Sequence, residues 1–122
     1  MAAVSNEDPV RRRLRERGAA EHIVREGGEG LVLRWRRFVA LVELGYPFGL
    51  DDYRNDLDTR TLIAFVGLDD QVGQEDARLR GLLTGEDRLV WDSDIPGAFW
   101  VRGYPRDAGG ELRDDLISEH LL

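Results

Sequence analysis

The sequence predicts a mainly α-helical fold: one small domain, residues 1–122, built as a bundle of about four to five helices with a short C-terminal β-hairpin. Three observations support this prediction. Apolar residues recur at helical spacing after Leu31, glycines follow the apolar segments, and two short β-prone runs flank the turn residues DSDIPG at 92–97. A chain of 122 residues also suits a single core.

The N-terminal segment, residues 1–28, is predicted to be an arginine-rich helix. It begins near Asp8, with Asn6 or Asp8 as N-cap and a proline in its first turn. Gly18 interrupts its apolar stripe, so a break in the middle of this helix is allowed. The run RRRLRER at 11–17 favours a solvated helix face over a nucleic-acid-binding arm, because no aromatic residue is interleaved to stack bases.

Residues 29–85 are predicted to be the helical core. The second helix of the chain has the clearest pattern, since its apolar residues fall at i, i+4, i+7 and i+11 from Leu31 and Gly45 is a natural residue to end it. Its arginines lie off that stripe, where their aliphatic stems can cover apolar surface. This helix should form the centre of the domain.

A third helix is predicted after the turn at 46–47. Asp51 or Asp52 caps it, and it ends at the glycine that follows the apolar run at 62–66. Two alternatives stay open. Asp58 caps a shorter helix, or the run at 62–66 forms a buried strand.

The predicted secondary structure changes from helical to extended near residue 86. A fourth helix covers 69–85, with acids in its first turns and arginines later, the order that the helix dipole favours. An extended, aromatic hairpin segment follows at 86–106, with strands at 89–91 and 98–101. Residues 107–122 form a short C-terminal helix that docks on the core or on a partner.

Composition excludes several kinds of chemistry. The 17 basic residues are all arginine, so Schiff-base and P-loop lysines are excluded, and the lack of cysteine excludes disulfides and thiolate ligands. The two histidines have no metal-site spacing, and no GxSxG, GxGxxG or GxxxxGK[ST] motif occurs in a suitable context. No catalytic residue, metal ligand or cofactor is therefore assigned.

The net charge of −7 is concentrated in the second half of the chain. Residues 1–50 carry nine arginines and seven acids, whereas residues 51–122 carry eight arginines and seventeen acids. A surface of this sign repels nucleic acid and attracts basic proteins.

A cluster of acids stands out in GYPFGLDDYRNDLDTR at 45–60. It contains Asp51, Asp52, Asp56 and Asp58. Three interpretations compete for it: a capped and ion-paired turn, a docking face for a partner, and a weak Mg²⁺ or acid–base site at Asp52 and Asp56.

Aromatic residues gather in the predicted hairpin segment. Trp91 and Trp100 are predicted anchors for a protein partner, with Asp92 and Asp94 beside them. Since neighbours on a strand point to opposite faces, Phe99 and Trp100 cannot both enter one core. At least one of the two is expected to be partly exposed or covered by another segment.

The block WRRFVALVELGYPFGLDDYRNDLDTR at 35–60 resembles a segment of small bacterial proteins of unassigned function, in which a Trp and Phe helix leads through Gly-Tyr to D-Y-x-N-D-L-x-x-R. The resemblance implies a recurring structural unit and no activity. It implies that Tyr53 and Leu57 face the core. It also implies that Asn55, Asp56 and Arg60 form hydrogen bonds that fix the turn.

The leading functional hypothesis is a non-enzymatic, acidic interaction module: an inhibitor, immunity protein or antitoxin that binds a basic protein partner. The alternatives are a Mg²⁺-dependent enzyme centred on Asp52 and Asp56, and a subunit of a larger assembly. No apolar run reaches the length of about 20 residues that a membrane span needs, and arginines occupy the first 20 residues, where a signal peptide is apolar. A cytoplasmic protein is expected, and a homo-oligomer stays open.

Overall fold

The computed structural model describes residues 8–122 and confirms the mainly helical fold with a two-stranded antiparallel hairpin. The predicted cap Asn6 lies outside the described residues. In chain order the elements are α1 (Pro9–Arg17), α2 (Glu21–Leu44), α3 (Leu50–Phe65), α4 (Gly73–Leu82), β1 (Leu83–Leu89), β2 (Arg102–Pro105) and α5 (Gly110–Ser118). Two short 3₁₀ turns, Asp69–Val72 and Phe99–Val101, precede α4 and β2.

The N-terminal helix is shorter than predicted. Asp8 caps it by accepting a hydrogen bond from the Arg11 backbone N–H at 2.8 Å, and Gly18 ends it in the left-handed conformation at φ 83°. The predicted boundary at residue 28 falls inside α2, which already begins at Glu21. The break allowed at Gly18 is therefore real, and the second half of the predicted first helix belongs to α2.

A kink near the start of α2 is held by α1. Gly27 has φ 70° and ψ −160°, values outside the helical region that glycine adopts without steric cost. The Arg11 guanidinium donates two hydrogen bonds to the Arg25 carbonyl, at 3.1 and 3.3 Å. An arginine of α1 thus supplies the donors beside the interruption, which ties the two helices together.

Helix α2 packs against α1, α3 and α4 and forms the centre of the core. Trp35 and Val39 are fully buried, and Phe38 stacks on Trp35 with ring centroids 4.9 Å apart. The buried apolar residues of the described chain join into one cluster. The helical periodicity that begins at Leu31 therefore marks the side of α2 that the other helices cover.

Helix α3 begins one residue before the predicted acidic caps. Its N-cap is Gly49, which has no side chain to accept a hydrogen bond, and the N–H of Leu50 donates instead to Asp115 of α5 at 2.9 Å. The predicted capping by Asp51 or Asp52 is wrong, because a carboxylate from a distant part of the chain occupies that role. The apolar run at 62–66 is neither a strand nor part of a shorter helix, since α3 continues from Leu50 to Phe65.

The hairpin lies outside the predicted strands. Helix α4 ends at Leu82 rather than at 85, and β1 pairs with β2 in the register Leu83 to Pro105 and Leu89 to Arg102, with an irregularity between. The strands predicted at 89–91 and 98–101 are wrong, because all of these residues except Leu89, the last of β1, lie in the connection between β1 and β2. Strand pairing, not local propensity, sets where α4 stops.

Gly103 in β2 allows the two strands to approach closely. It has φ 83°, and a Cβ placed there would lie 2.6 Å from the Thr84 carbonyl oxygen, a backbone atom that cannot turn away. Gly103→Ala is expected to lower the free energy of unfolding by about 2–4 kcal/mol, since it combines left-handed strain with a backbone clash. Urea denaturation followed by circular dichroism measures the loss.

Gly81→Ala is the matched control, because this exposed glycine of α4 has no described atom within 4 Å of the added Cβ. Alanine there should stabilise the protein by about 0.5–1 kcal/mol through its higher helix propensity. Equal stabilities for the Gly103 and Gly81 variants would contradict the close strand approach.

Candidate functional site

Acids from two distant segments meet at the start of α3. Asp51 and Asp52 are exposed in its first turn, where the positive end of the helix dipole favours negative charge. Glu111 and Asp115 lie one turn apart on α5, and a Cβ at Gly49 would lie 2.7 Å from Asp115 Oδ2 and 3.0 Å from the Glu111 carboxylate. We call Asp51, Asp52, Glu111 and Asp115 the acidic face.

An aromatic side chain borders the acidic face. Phe48 directly precedes the N-cap Gly49 and is 47% exposed, which is high for a phenylalanine. Its ring packs edge-on against buried Tyr46, with centroids 5.7 Å apart and an interplanar angle of 83°. The ring is therefore held in place on one side and offered to solvent on the other.

Asp56 accepts a hydrogen bond from a neighbouring tyrosine. The Tyr46 hydroxyl donates to Asp56 Oδ2 at 2.5 Å. Burial raises the pKa of Asp56 and the charge of Asp52 raises it further, against the lowering effect of the Tyr46 hydrogen bond. Burial and the Asp56 charge also raise the pKa of Tyr46. Within residues 8–122 no group of three or more His, Asp or Glu side chains is placed to hold a metal ion.

Two of the remaining predicted acids, Asp58 and Asp94, lie near Arg17. Arg17 of α1 donates to both oxygens of Asp94, at 2.8 and 3.1 Å, and this hydrogen bonding lowers the pKa of Asp94. Burial raises the pKa of Asp58, which senses the opposing charges of Arg17 and Asp94. Asp92 is exposed in the same connection. The predicted acid set therefore splits into two, and Asp58 and Asp94 are partly neutralised by Arg17.

Trp100 does not lie at the surface. It is 4% exposed, and its indole N–H donates to the Thr61 hydroxyl at 3.1 Å. The predicted role as a partner anchor needs correction for this residue, because a side chain so enclosed offers no area for contact. Trp91 is half-buried and packs against the core. The 3₁₀ turn at Phe99–Val101 replaces the strand alternation on which the prediction relied.

Arg60 is the most enclosed charge in the described chain, at 4% exposure. Its Nη2 lies 2.8 Å from Asp76 and 2.7 Å from Asp69, and its Nε donates to Asp76 at 3.0 Å. The guanidinium also stacks over the Trp100 ring, 4.4 Å from the centroid. Asp76 accepts in addition from the Trp35 indole N–H at 2.9 Å. This group of side chains links α2, α3, α4 and the hairpin connection.

The charge of Arg60 is maintained despite its burial. Burial alone lowers the pKa of Arg60, but the hydrogen bonds and charges of Asp76 and Asp69 outweigh it, so the pKa lies above its usual value. Its Nη1 has no hydrogen-bond partner among the described residues. Arg60 thus forms the hydrogen bonds that the resemblance implied, but its partners lie on α4 and its preceding turn, outside the 45–60 segment.

The other residues named for the block at 35–60 differ in how far they are buried. Tyr53 and Leu57 are fully buried, and burial raises the pKa of Tyr53, whose hydroxyl has no partner among the described residues. Asn55 is exposed, and its side chain forms no hydrogen bond with residues 8–122. The segment is a continuous helix rather than a turn, which leaves Asn55 on its outer side.

Comparisons with known proteins yield no match: no protein-family model, curated protein or solved structure corresponds to the chain. The resemblance of residues 35–60 to small bacterial proteins stays a prediction. Among the described helices, none has both the length and the apolar character that crossing a bilayer requires.

Two members of the acidic face, Glu111 and Asp115, were not among the residues that the sequence singled out. Their i, i+4 spacing is visible in the chain and places them on one helix face. Nothing local indicates that this face meets Gly49, about 60 positions away. The same holds for Asp76 and Asp69, whose partner Arg60 lies on another helix.

Removing the buried guanidinium should be costly. Arg60→Ala is expected to lower the free energy of unfolding by about 3–5 kcal/mol, because Asp76 would be left in a largely enclosed place without the guanidinium that pairs with it. Urea denaturation measures the change. Arg37→Ala, the loss of an exposed arginine on α2, is the control and should change stability by no more than about 0.5 kcal/mol. Similar values for the two variants would show that the Arg60 group contributes nothing net.

The Asp56 carboxyl should make stability depend on pH. Because its pKa is raised in the folded protein, the folded state holds the proton more tightly than the unfolded chain, and stability from this group falls as pH rises above about 4. Asp56→Asn removes this loss while keeping an acceptor for Tyr46, so its stability relative to wild type should increase with pH. Thermal melts between acidic and neutral pH measure the trend.

Asp56→Ala separates the charge from the hydrogen bond. It also removes the titrating group, but it leaves the buried Tyr46 hydroxyl without its acceptor, at a cost of about 1–2 kcal/mol relative to Asp56→Asn. A stability difference between wild type and Asp56→Asn that does not vary with pH would contradict the raised pKa.

Proposed function

We propose that this protein is a non-enzymatic interaction module, of the inhibitor, immunity-protein or antitoxin kind, that binds a basic protein through the acidic face. One observation carries the proposal. Asp51, Asp52 and Glu111 are exposed and form no ion pair with any described residue, whereas Asp69, Asp76 and Asp94 each pair with an arginine. Other exposed acids, such as Glu86 and Asp92, also lack an ion pair with a described residue, but these three lie together around the start of α3.

Concentrated charge of one sign favours association with a partner of the opposite sign. Carboxylates that lie near each other repel, which costs folding stability, and an arriving guanidinium or ammonium group relieves that repulsion. Complementary potentials also raise the association rate and make it sensitive to salt. A basic protein surface would relieve the repulsion within the acidic face and would associate with it rapidly, whereas nucleic acid phosphates would be repelled.

Phe48 supplies the apolar contact that such a surface needs. Aromatic residues at the centre of interfaces contribute more binding free energy than rim charges, and their rings gain most when they are already held in place. Contact with Tyr46 holds Phe48 in this way. We place this ring at the middle of the interface, with the acidic face beside it.

The proposal includes a bacterial, cytoplasmic protein. A chain without cysteine suits a reducing compartment, and the 35–60 block resembles small bacterial proteins. The lack of cysteine and the resemblance support a bacterial, cytoplasmic setting for the interaction. Neither point depends on the acidic face.

The acidic face is tested with the variant Asp51→Asn/Asp52→Asn/Glu111→Gln. Asp115 is left unchanged because it accepts the Leu50 N–H and so supports the fold. A basic partner isolated from an extract of the source organism is purified, and its Kd is measured by calorimetry at about 50 and about 300 mM NaCl. The variant should weaken binding about tenfold or more at low salt, and the difference should shrink at high salt.

The matched control neutralises the same number of exposed acids elsewhere, as Glu16→Gln/Glu29→Gln/Asp70→Asn. Its Kd should stay within about threefold of wild type, since these charges lie on other elements and contribute only to the long-range field. Phe48→Ser in the native background should weaken binding with little change in salt dependence. Equal losses in the two triple variants would show that net charge, and not the acidic face, determines binding.

A further inference from the structure

A positively charged surface, opposite in sign to the acidic face, lies between α4 and the hairpin. A cleft of about 300 Å³ is lined by Arg80 of α4, by Leu83 and Glu86 of β1, by Phe99 of the 3₁₀ turn, and by Arg102, the first residue of β2. This volume lies at the lower end of the roughly 300–1,000 Å³ typical of small-molecule sites. The cleft shares no residue with the acidic face.

Two guanidinium groups border the cleft without a counterion. Neither Arg80 nor Arg102 forms an ion pair with any residue in the described part of the chain. Arg80 lies over the Phe99 ring, with its guanidinium carbon 4.1 Å from the centroid. This contact holds the guanidinium beside the cleft and does not use its N–H groups as hydrogen-bond donors. Planar, paired donors of this kind match a carboxylate.

The charge around the cleft favours a monoanion. Arg80 and Arg102 contribute two positive charges and Glu86, which has no ion pair with the described residues, contributes one negative charge. The balance of one positive charge suits a carboxylate. A phosphate dianion would gain from the arginines but would also be repelled by Glu86.

The rest of the lining is apolar. Leu83 and the Phe99 ring form the wall, and Trp100 supports Phe99 edge-on with centroids 5.5 Å apart. A second hollow, lined among others by Leu89, Ile95 and Val101, also borders Phe99 and Arg102. An apolar body attached to the carboxylate would therefore find contacts on either side of Phe99.

We propose that this cleft binds a small organic monocarboxylate with an aromatic body, with Arg80 and Arg102 holding the carboxylate and Phe99 and Leu83 contacting the ring. This binding site is separate from the protein-binding role of the acidic face, and neither depends on the other.

Titration of ¹⁵N-labelled protein followed by ¹H–¹⁵N NMR tests the site, with phenylacetate as the probe. The amide shifts should saturate with a Kd in about the millimolar range and should be largest at Leu83, Phe99 and Arg102. Acetate, which has the charge without the ring, should bind about tenfold more weakly, because it leaves the apolar wall uncovered. N-acetylphenylalanine forms a second arm, and tighter binding than phenylacetate would assign the site to peptide C-termini.

Three variants separate the contributions. Arg102→Gln should weaken phenylacetate binding about tenfold, whereas Arg88→Gln, the loss of an exposed arginine on β1 that does not line the cleft, should leave the Kd unchanged within about twofold. Glu86→Gln should improve the binding of phenyl phosphate more than that of phenylacetate. The spectra of the free variants show directly whether each remains folded.

Two results would overturn the proposal. The first is the absence of saturable shifts at the cleft up to about 30 mM phenylacetate, which corresponds to no useful affinity. The second is equal weakening by Arg102→Gln and Arg88→Gln, which would mean that positive charge in general, and not the cleft, attracts the anion.

Discussion

The burial of the Arg60 guanidinium is the constraint on which the rest of this fold depends. Removing such a charge from water costs several kcal/mol, so its hydrogen-bond partners must be close and well aligned. Asp76 and Asp69 meet that requirement at 2.7 to 2.8 Å, which fixes α4 and its preceding turn against α3. Trp100 covers the guanidinium from the hairpin side, and Trp35 of α2 bonds to the same Asp76. Four parts of the chain thus share one polar centre inside an otherwise apolar core.

Outside this buried polar centre, the distribution of ion pairs determines where the surface carries uncompensated charge. Arginines neutralise many of the acids, as Arg17 does for Asp94, but the acids at the start of α3 have no such partner among the described residues. The repulsion among them lowers stability, and the dipole of α3 together with the Asp115 hydrogen bond offsets part of that loss. On the hairpin side the relation is reversed, because Arg80 and Arg102 have no acidic partner within residues 8–122. The described chain therefore presents two surfaces of opposite charge.

Sequence patterns were most informative where local and tertiary preferences agree. The stripe from Leu31 predicted α2 and its buried face, and Gly45 marked its end. Sequence patterns failed where contact with a distant segment determines the local structure. Asp115 takes the capping role expected of Asp51 or Asp52, and pairing with β2 moves β1 to 83–89. Of the candidate site, Asp51 and Asp52 were predicted, while Glu111 and Asp115 were not, because no local signal shows which helix lies across Gly49.

The chain read alone predicts the mainly helical class, the central helix and the acidic character, and it excludes lysine and cysteine chemistry. These follow from composition and from periodicity within single elements, which are properties of short segments. Which charges are buried, which are paired and which lie close together depends on how the helices and the hairpin pack. Arg60 and Arg102 are the same kind of residue, yet one is enclosed between carboxylates and the other is exposed at a cleft. That difference arises from contacts between residues far apart in the chain, and local sequence carries no record of them.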